Sequence, residues 1–227
     1  MPMLYLLDSA KLEHIASLID CYPIVGVTTN PSIIAREEEP FASLVTEIRR
    51  IIGSERMLHI QTSCDAPDQI VQEALALREL AGDHFYAKVP VTPAGIQAMM
   101  RLKRLGVGVT ATAIFTQQQA LIAARAGADF VAPYVNRLDN IASNGTAVVS
   151  DIVHLFKIHD LATRVLAASF KNVEQVHLVS MAGAHCATVA PDLFEHLIYH
   201  PLTDMSVAEF EKDGPACPRW STDMQTP

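Results

Sequence analysis

The stretch from His84 to Pro93 reads HFYAKVPVTP and places a single lysine, Lys88, near the end of a short apolar strand. Lysine is rare in such a run because taking an ammonium group out of water is costly. The same cost favours the neutral amine, which lowers the pKa of the lysine and makes it a nucleophile. Pro90 cannot donate a hydrogen bond to a neighbouring strand, and Thr92 before Pro93 is typical of a helix start. The stretch therefore predicts that Lys88 lies at the C-terminal end of a strand, where parallel barrels build their active sites.

The same alternation of a short apolar run and a stretch of helical periodicity repeats along the chain. The eight apolar runs are 4–7, 24–27, 57–60, 84–89, 107–111, 129–133, 164–168 and 185–190. Eight strand–helix units in about 200 residues are typical of a small (β/α)8 TIM barrel. A doubly wound sheet also alternates strands and helices, but the even spacing and the lack of a glycine-rich phosphate loop favour the barrel. We predict a single-domain α/β barrel over residues 1–213, with a short last helix near 205–212 and a proline-rich tail at 214–227.

Composition limits the class of protein. The 227 residues, half of them hydrophobic, are enough for one large core, and they argue against disorder. The net charge of −8 argues against a nucleic-acid-binding surface. No apolar run reaches the roughly 20 residues needed to span a bilayer, and the N-terminus lacks the basic region of a signal peptide. Four widely spaced cysteines are typical of free thiols in a reducing compartment. We therefore expect a cytoplasmic protein with no nucleic-acid or membrane partner.

Polar side chains stand at the ends of nearly all predicted strands. They are Asp8, Asn30, Gln61, Lys88, Thr112, Tyr134 with Arg137, and Ser169. In a parallel barrel these ends converge on one pocket. Most of these residues also have an ordinary structural explanation, such as a helix cap for Asp8 and Ser169 or a turn for Asn30. Lys88 differs because its neighbours are apolar, and the local sequence leaves catalysis and a surface position equally open for it.

Four motifs give the chain a family resemblance. Residues 25–34 read VGVTTNPSII, 87–92 read AKVPVT, 131–137 read VAPYVNR and 166–171 read LAASFK. In this order and spacing they resemble the transaldolase family, in which the second motif carries a Schiff-base lysine. The resemblance covers about residues 3–213 and is closest to the small, single-barrel branch of fructose-6-phosphate aldolase-like enzymes.

The resemblance implies a metal-free class I aldolase that needs no cofactor. Lys88 would form a Schiff base with the ketone of a donor, and the resulting iminium would draw electrons from the neighbouring carbon–carbon bond. The residues that would carry the chemistry are Lys88, Tyr134, Gln61, Thr112 and Asp8. Those that would bind the donor or the acceptor phosphate are Asn30, Thr28, Arg137 and Ser169.

Two positions separate the branches of the family that the chain resembles. Transaldolases carry glutamate where this chain has Gln61, and usually phenylalanine where it has Tyr134, so both positions favour the aldolase branch. The implied reaction makes or breaks a carbon–carbon bond between a dihydroxyacetone-type donor and a phosphorylated aldehyde such as glyceraldehyde 3-phosphate. A small transaldolase that transfers dihydroxyacetone between sugar phosphates, and a sugar-phosphate-binding barrel without catalysis, remain alternatives.

Three further expectations concern the surroundings of this site. Tyr86 shares a strand face with Lys88, so it is expected to point into the barrel beneath the lysine. A narrower pocket and a different donor are both open as consequences. The nine histidines show no HxH or HExxH spacing, so no metal site is predicted. The resemblance also implies a homo-oligomer, a pentamer or a decamer, with the last helix at the contacts.

Overall fold

A computed structural model describes residues 3–214, and its core is a closed barrel of eight parallel strands. The strands follow one another around the barrel in chain order, and the last pairs with the first. They are β1 (Leu4–Asp8), β2 (Ile24–Thr28), β3 (Met57–Gln61), β4 (Phe85–Pro90), β5 (Gly108–Ile114), β6 (Phe130–Pro133), β7 (Arg164–Ala167) and β8 (Cys186–Val189). The predicted (β/α)8 barrel is confirmed, each apolar run coincides with a strand, and the closed strand order excludes a doubly wound sheet.

Helices connect the strands throughout. They are α1 (Leu12–Leu18), α2 (Pro31–Ile34), α3 (Phe41–Ile52), α4 (Pro67–Ala81), α5 (Pro93–Arg104), α6 (Gln117–Arg125), α7 (Val135–Asp139), α8 (Gly145–Ile158), α9 (Val173–Met181), α10 (Pro191–His196) and α11 (Pro201–Asp213). Two of them, α2 and α7, are short additional helices that directly follow β2 and β6. Both therefore lie at the C-terminal ends of strands, which is the end of the barrel where function is expected.

The chain turns sharply between β4 and α5, and this turn fixes the strand end that carries Lys88. The Thr92 hydroxyl accepts a hydrogen bond from the backbone N–H of Gly95 at 3.0 Å, which caps α5 as the sequence predicts. A Cβ atom at Gly95 would collide with the carbonyl oxygen of Pro90. Glycine therefore allows the first turn of α5 to pack directly against the end of β4.

Aromatic side chains close the barrel beneath Lys88, toward the N-terminal ends of the strands. Tyr86 stands two residues before Lys88 on β4, and its ring stacks on His59 of β3 with centroids 4.7 Å apart. Phe130 of β6 packs edge-on against both rings, at 5.0 Å and 5.1 Å. A Cβ atom at Gly108 would lie 2.6 Å from the Tyr86 ring, so glycine on β5 makes room for the tyrosine. We call His59, Tyr86 and Phe130 the floor cluster.

The described chain divides into two compact units between Leu193 and Phe194. The first contains the barrel. The second contains α11, so the predicted last helix is present, and it is longer than predicted. The predicted tail at 214–227 lies outside the described residues except for its first residue, and the domain boundary placed there stays a prediction. Within residues 3–214, no helix combines the length and apolar character needed to cross a membrane.

Candidate active site

A cavity of about 1100 Å³ opens at the C-terminal end of the barrel. Most of the side chains predicted to form the site line this cavity: Asp8, Asn30, Gln61, Lys88, Tyr134, Arg137 and Ser169. They come from the ends of six different strands or from the loops that follow them. Thr28 and Thr112 do not line the cavity, because both are fully buried, and each contacts a side chain that does.

Lys88 lies at the base of the cavity with only 5% of its surface exposed. Its Nζ donates a hydrogen bond of 2.6 Å to the backbone carbonyl of Thr29, which directly follows β2 and lies two strands away around the barrel. Burial lowers the pKa of the Lys88 amine, and the nearby carboxyl group of Asp8 partly opposes that shift. The structure therefore holds an amine in a fixed position and favours its neutral, nucleophilic form.

Asp8 is held by Thr28, which is itself hydrogen-bonded to Thr188. The Thr28 hydroxyl donates to Asp8 Oδ1 at 2.6 Å, so it faces the carboxylate and not the cavity. Since that proton is then engaged, the Thr188 hydroxyl, 2.6 Å from Thr28 Oγ1, must donate to Thr28. Burial raises the pKa of Asp8, while Lys88 and the hydrogen bond from Thr28 act to lower it. In this structure the Thr28 hydroxyl orients Asp8, and its expected contact with a substrate stays a prediction.

Tyr134 is oriented by its neighbours on three sides. Its hydroxyl lies 2.9 Å from Thr112 Oγ1, and either oxygen can be the donor. The Phe115 ring packs edge-on against the tyrosine ring at 5.6 Å, and the Arg137 guanidinium lies 4.9 Å from the ring centroid. The half-buried hydroxyl is therefore placed at the cavity wall by β5, while the ring supports the arginine from α7.

Arg137 lies on α7 and Ser169 in the loop after β7, and backbone hydrogen bonds join these two segments. Just before Arg137, the N–H of Asn136 donates to the carbonyl of Ser169 at 2.8 Å, and the N–H of Val135 donates to Ala168 at 2.9 Å. Ser169 has a positive φ of 64°, a left-handed conformation that is costly for a residue with a side chain. The strained turn after β7 thus brings the serine beside the helix that carries the arginine.

Asn30 and Gln61 complete the predicted set. The Asn30 side-chain oxygen accepts a hydrogen bond from the N–H of Ile33 at 3.1 Å and caps α2, as its position before a proline suggests. Among the described residues, no hydrogen bond engages its amide nitrogen. Gln61, at the end of β3, pairs in register with Lys88 and lines the cavity half-buried. Both side chains therefore lie next to the strand ends that hold the amine.

Sequence reasoning missed two groups that shape this site. The first is Thr188, which is almost fully buried and lines the cavity. The alternation of inward and outward residues on β8 is the signal that could have found it. The second is the backbone carbonyl of Thr29, which receives the Lys88 hydrogen bond. No side-chain pattern can reveal a backbone acceptor of this kind.

Tyr86 belongs to the floor cluster below the cavity. Tyr86 points inward as predicted, but it stacks under His59 and does not line the cavity, so it does not narrow the pocket. His59 itself is fully buried, and its Nδ1 lies 2.8 Å from the Thr110 hydroxyl. Burial, followed by the positive charges of Lys88 and Arg164, holds the pKa of His59 well below its usual range. A neutral imidazole therefore lies below the lysine.

Within the part of the chain that the structure describes, the His, Cys, Asp and Glu side chains form no group of three that could hold a metal ion. The polar groups that line the cavity include hydroxyls and amides, the carboxyl groups of Asp8, Glu37 and Asp192, and the guanidinium groups of Arg36 and Arg137.

Solved structures share the architecture. One titled "Native KDPGal structure" is 15% identical to this chain, with a TM-score of 0.59 and 95% coverage of both chains. A thiamine phosphate pyrophosphorylase from Pyrococcus furiosus is 13% identical, with a TM-score of 0.58, and covers 86% of this chain and 93% of its own. At such identities the likeness shows the fold alone.

Sequence relatives are much closer. The family model described as Transaldolase/Fructose-6-phosphate aldolase matches residues 5–226. A probable fructose-6-phosphate aldolase of Streptococcus pneumoniae is 38% identical over 212 residues, which cover 93% of this chain and 96% of the relative. A "probable transaldolase 2" of Bacillus cereus is 37% identical over 221 residues, covering 96% of this chain and 100% of the relative. The chain therefore belongs to the transaldolase/fructose-6-phosphate aldolase family.

Proposed function

We propose that this protein is a metal-free class I aldolase in which Lys88 is the Schiff-base nucleophile. The observation that carries the proposal is a buried amine, with a lowered pKa, at the base of a polar cavity at the C-terminal end of the barrel. The proposed substrates are a dihydroxyacetone-type donor and a phosphorylated aldehyde such as glyceraldehyde 3-phosphate. In the cleavage direction the substrate is the corresponding ketose phosphate, for example fructose 6-phosphate.

The proposed cleavage begins with attack of the neutral Lys88 amine on the ketone carbon. Loss of water gives a protonated imine, and the bond between the α and β carbons then breaks as its electrons move toward the iminium nitrogen, leaving an enamine. The hydroxyl on the departing carbon gives up its proton as it becomes the aldehyde carbonyl. The enamine carbon takes up a proton, and water hydrolyses the imine, which returns the amine and releases the donor.

In this scheme Tyr134 transfers the protons, and Gln61 and Thr112 support it. The Tyr134 hydroxyl, paired with Thr112 at 2.9 Å, would exchange protons with the substrate directly or through one water. Gln61, next to Lys88 in the strand register, would hold that water through its amide. Thr112 is too buried to meet a substrate, so its proposed role is to orient the tyrosine hydroxyl.

Substrate binding is proposed for the two sides of the cavity. On one side, Asp8, oriented by Thr28, and the free amide nitrogen of Asn30 would bind donor hydroxyls and hold the ketone against the amine. On the other side, Arg137 would bind the acceptor phosphate by charge-assisted hydrogen bonds, with Ser169 as a second donor. This arrangement places the bond that breaks between the two sides, above Lys88.

The second candidate function is transfer of dihydroxyacetone between sugar phosphates. The naming of the Bacillus cereus relative as a probable transaldolase favours it. Gln61 and Tyr134 favour the aldolase, since the transaldolases that the chain resembles carry glutamate and phenylalanine at these positions. Measuring free dihydroxyacetone released from fructose 6-phosphate against transfer to erythrose 4-phosphate separates the two functions. A non-catalytic sugar-phosphate-binding barrel would give neither product.

The test of the Schiff base is reduction with borohydride in the presence of dihydroxyacetone. Intact mass and peptide mapping should find one reduced donor adduct on Lys88. Lys88→Met should abolish both the adduct and the cleavage of fructose 6-phosphate. Lys171→Met is the matched control, because Lys171 lines the same cavity but is exposed, and this variant should still form the adduct. Full activity of Lys88→Met, or an adduct on another lysine, contradicts the proposal.

We also propose that the protein is a homo-oligomer, as the resemblance implies. The observation on which this rests is the surface of α11, where Leu202, Met205, Val207 and Phe210 are exposed by 62%, 66%, 48% and 69%. Apolar side chains this exposed on one helix are costly in water and are buried by association. A second copy of the chain is the proposed partner.

A further inference from the structure

One buried glutamine, Gln175, connects the two segments that carry Arg137 and Ser169. It lies in the first turn of α9 with 8% of its surface exposed, and it has no place in the chemistry proposed above. A buried polar side chain requires hydrogen-bond partners, and those of Gln175 lie on two different segments of the chain.

The first segment is the loop after β7. The Gln175 side-chain oxygen accepts a hydrogen bond from the backbone N–H of Lys171 at 2.8 Å, two residues after Ser169. The backbone N–H of Gln175 donates to the side chain of Asn172, the cap of α9, at 2.9 Å. The loop that presents Ser169 is therefore fixed to the start of α9 by the glutamine.

The second segment is α7. The Gln175 amide nitrogen donates to Asp139 Oδ2 at 2.7 Å and to the side-chain oxygen of Asn136 at 3.3 Å. These two residues flank Arg137 on the helix. The other carboxylate oxygen of Asp139 accepts from the backbone N–H of Gly145 at 2.8 Å, which fixes the start of α8 to the same network.

We propose that Gln175 is a positioning residue that sets the spacing between Arg137 and Ser169 and thereby the preference for a phosphorylated acceptor. Only a side chain that accepts at one end and donates at the other satisfies both segments at once. A leucine makes neither contact, and a glutamate places a second carboxylate against Asp139. The inference rests on the proposed assignment of Arg137 and Ser169 to phosphate binding.

The experiment uses two ligand pairs that differ only by a phosphate. Binding of glycerol 3-phosphate is compared with binding of glycerol by calorimetry, which requires no aldol chemistry. The KM for glyceraldehyde 3-phosphate is compared with the KM for glyceraldehyde, with dihydroxyacetone as donor. Gln175→Leu and Gln175→Glu should weaken the phosphorylated member of each pair at least about tenfold, since a hydrogen bond to a charged group is lost or misplaced. The unphosphorylated members and the borohydride adduct on Lys88 should stay unchanged.

Two further variants separate positioning from general stability. In Gln175→Glu combined with Asp139→Asn, the asparagine nitrogen donates to the new glutamate while its oxygen still accepts from Gly145, so the phosphate preference should return. Gln119→Leu is the matched control, because the Gln119 side chain also accepts from backbone N–H groups just before its own helix, α6, where it accepts from Phe115 and Thr116. It should lower stability and leave the phosphate preference intact.

The outcomes distinguish this inference from the proposed function. If the Gln175 variants weaken phosphorylated and unphosphorylated ligands equally, or if the double variant fails to restore the preference, positioning by Gln175 is wrong. If Arg137→Ala leaves glycerol 3-phosphate binding unchanged, the phosphate site and this inference both fail. If glycerol 3-phosphate binding depends on Gln175 while no aldol cleavage occurs, the inference stands and the proposed function is wrong.

Discussion

Replacing Tyr134 by phenylalanine removes one oxygen atom at the cavity wall and leaves the ring contacts in place. The hydroxyl lies 2.9 Å from the Thr112 hydroxyl, which is fully buried. The ring still packs against Phe115 and still supports the Arg137 guanidinium. The substitution therefore tests the proton chemistry with little change in the shape of the cavity.

The expected effects on stability and on rate differ in size. Leaving the buried Thr112 hydroxyl without a partner costs about 1–3 kcal/mol of unfolding free energy. A domain with a stability of about 5–15 kcal/mol stays folded after such a loss. Loss of a group that transfers a proton in the transition state lowers the rate about 10²–10⁴-fold, or about 3–5.5 kcal/mol of activation free energy. We therefore expect a folded protein that cleaves fructose 6-phosphate at least about a hundredfold more slowly.

The assay measures release of glyceraldehyde 3-phosphate from fructose 6-phosphate, alongside the borohydride adduct on Lys88 and urea unfolding. Thr112→Val is the matched control, because it removes the same hydrogen bond and keeps the Tyr134 hydroxyl at the cavity. It should lose less stability, because the Tyr134 hydroxyl that it leaves unpaired faces the cavity, and it should also lose less of the rate. The double variant replaces both hydroxyls by apolar groups, so it should regain stability without regaining the rate.

Two results would refute this reasoning. If Tyr134→Phe cleaves fructose 6-phosphate at the wild-type rate, the hydroxyl takes no part in proton transfer. If the variant loses the Lys88 adduct together with the rate, the tyrosine supports the structure of the site and not the proton step. Retained transfer to erythrose 4-phosphate with loss of free dihydroxyacetone would instead agree with the assignment, because phenylalanine is usual in the transaldolases that the chain resembles.

Three further predictions concern the charges, the floor cluster and the surface. Asp8→Asn removes the carboxyl group that raises the pKa of Lys88, so only the lowering by burial is left. The pH below which borohydride no longer traps the Lys88 adduct should therefore fall. If that pH is unchanged or rises, Asp8 does not act on the Lys88 amine. Thr110→Val leaves the buried Nδ1 of His59 unpaired and should cost about 1–3 kcal/mol in urea unfolding, whereas adding His59→Phe should recover part of it. Phe210→Glu places a charge on α11 and should reduce the mass measured by light scattering, and an unchanged mass would exclude this residue from the contacts.

The barrel and the members of the site are predictable from the sequence because both follow from local patterns. Strands covered on both faces appear as short apolar runs, and polar residues at their C-terminal ends must converge once the barrel closes. The role of each member is not predictable in the same way. Thr28 and Thr112 are polar residues on strands, near their C-terminal ends, as the pattern requires. The Thr28 hydroxyl nevertheless turns toward Asp8 of β1, and the Thr112 hydroxyl turns toward Tyr134, which follows β6. That choice depends on contacts between segments far apart in sequence.

Tyr86 shows where alternation along a strand stops being informative. The period of two predicts correctly that it points inward on the face of Lys88. Two residues along a strand correspond to about 6–7 Å, enough to move a side chain from the cavity into the packed interior. Whether the ring fits there depends on Gly108 of β5 and His59 of β3, which are distant in sequence. Alternation along β4 therefore gives the direction of the Tyr86 side chain but not its distance from the cavity.

The opposing influences on Lys88 suit different steps of the proposed reaction. Burial lowers the pKa of the amine and so supplies the nucleophile, but the iminium that forms next carries a positive charge that it must keep until the carbon–carbon bond breaks. In the buried base of the cavity that charge needs a nearby anion, and Asp8 is the carboxyl group that acts on Lys88. His59 below it is held neutral and adds no positive charge. We infer that burial favours formation of the imine, whereas Asp8 stabilises its protonated form. Asp8→Asn should therefore form the imine at lower pH and yet cleave fructose 6-phosphate more slowly.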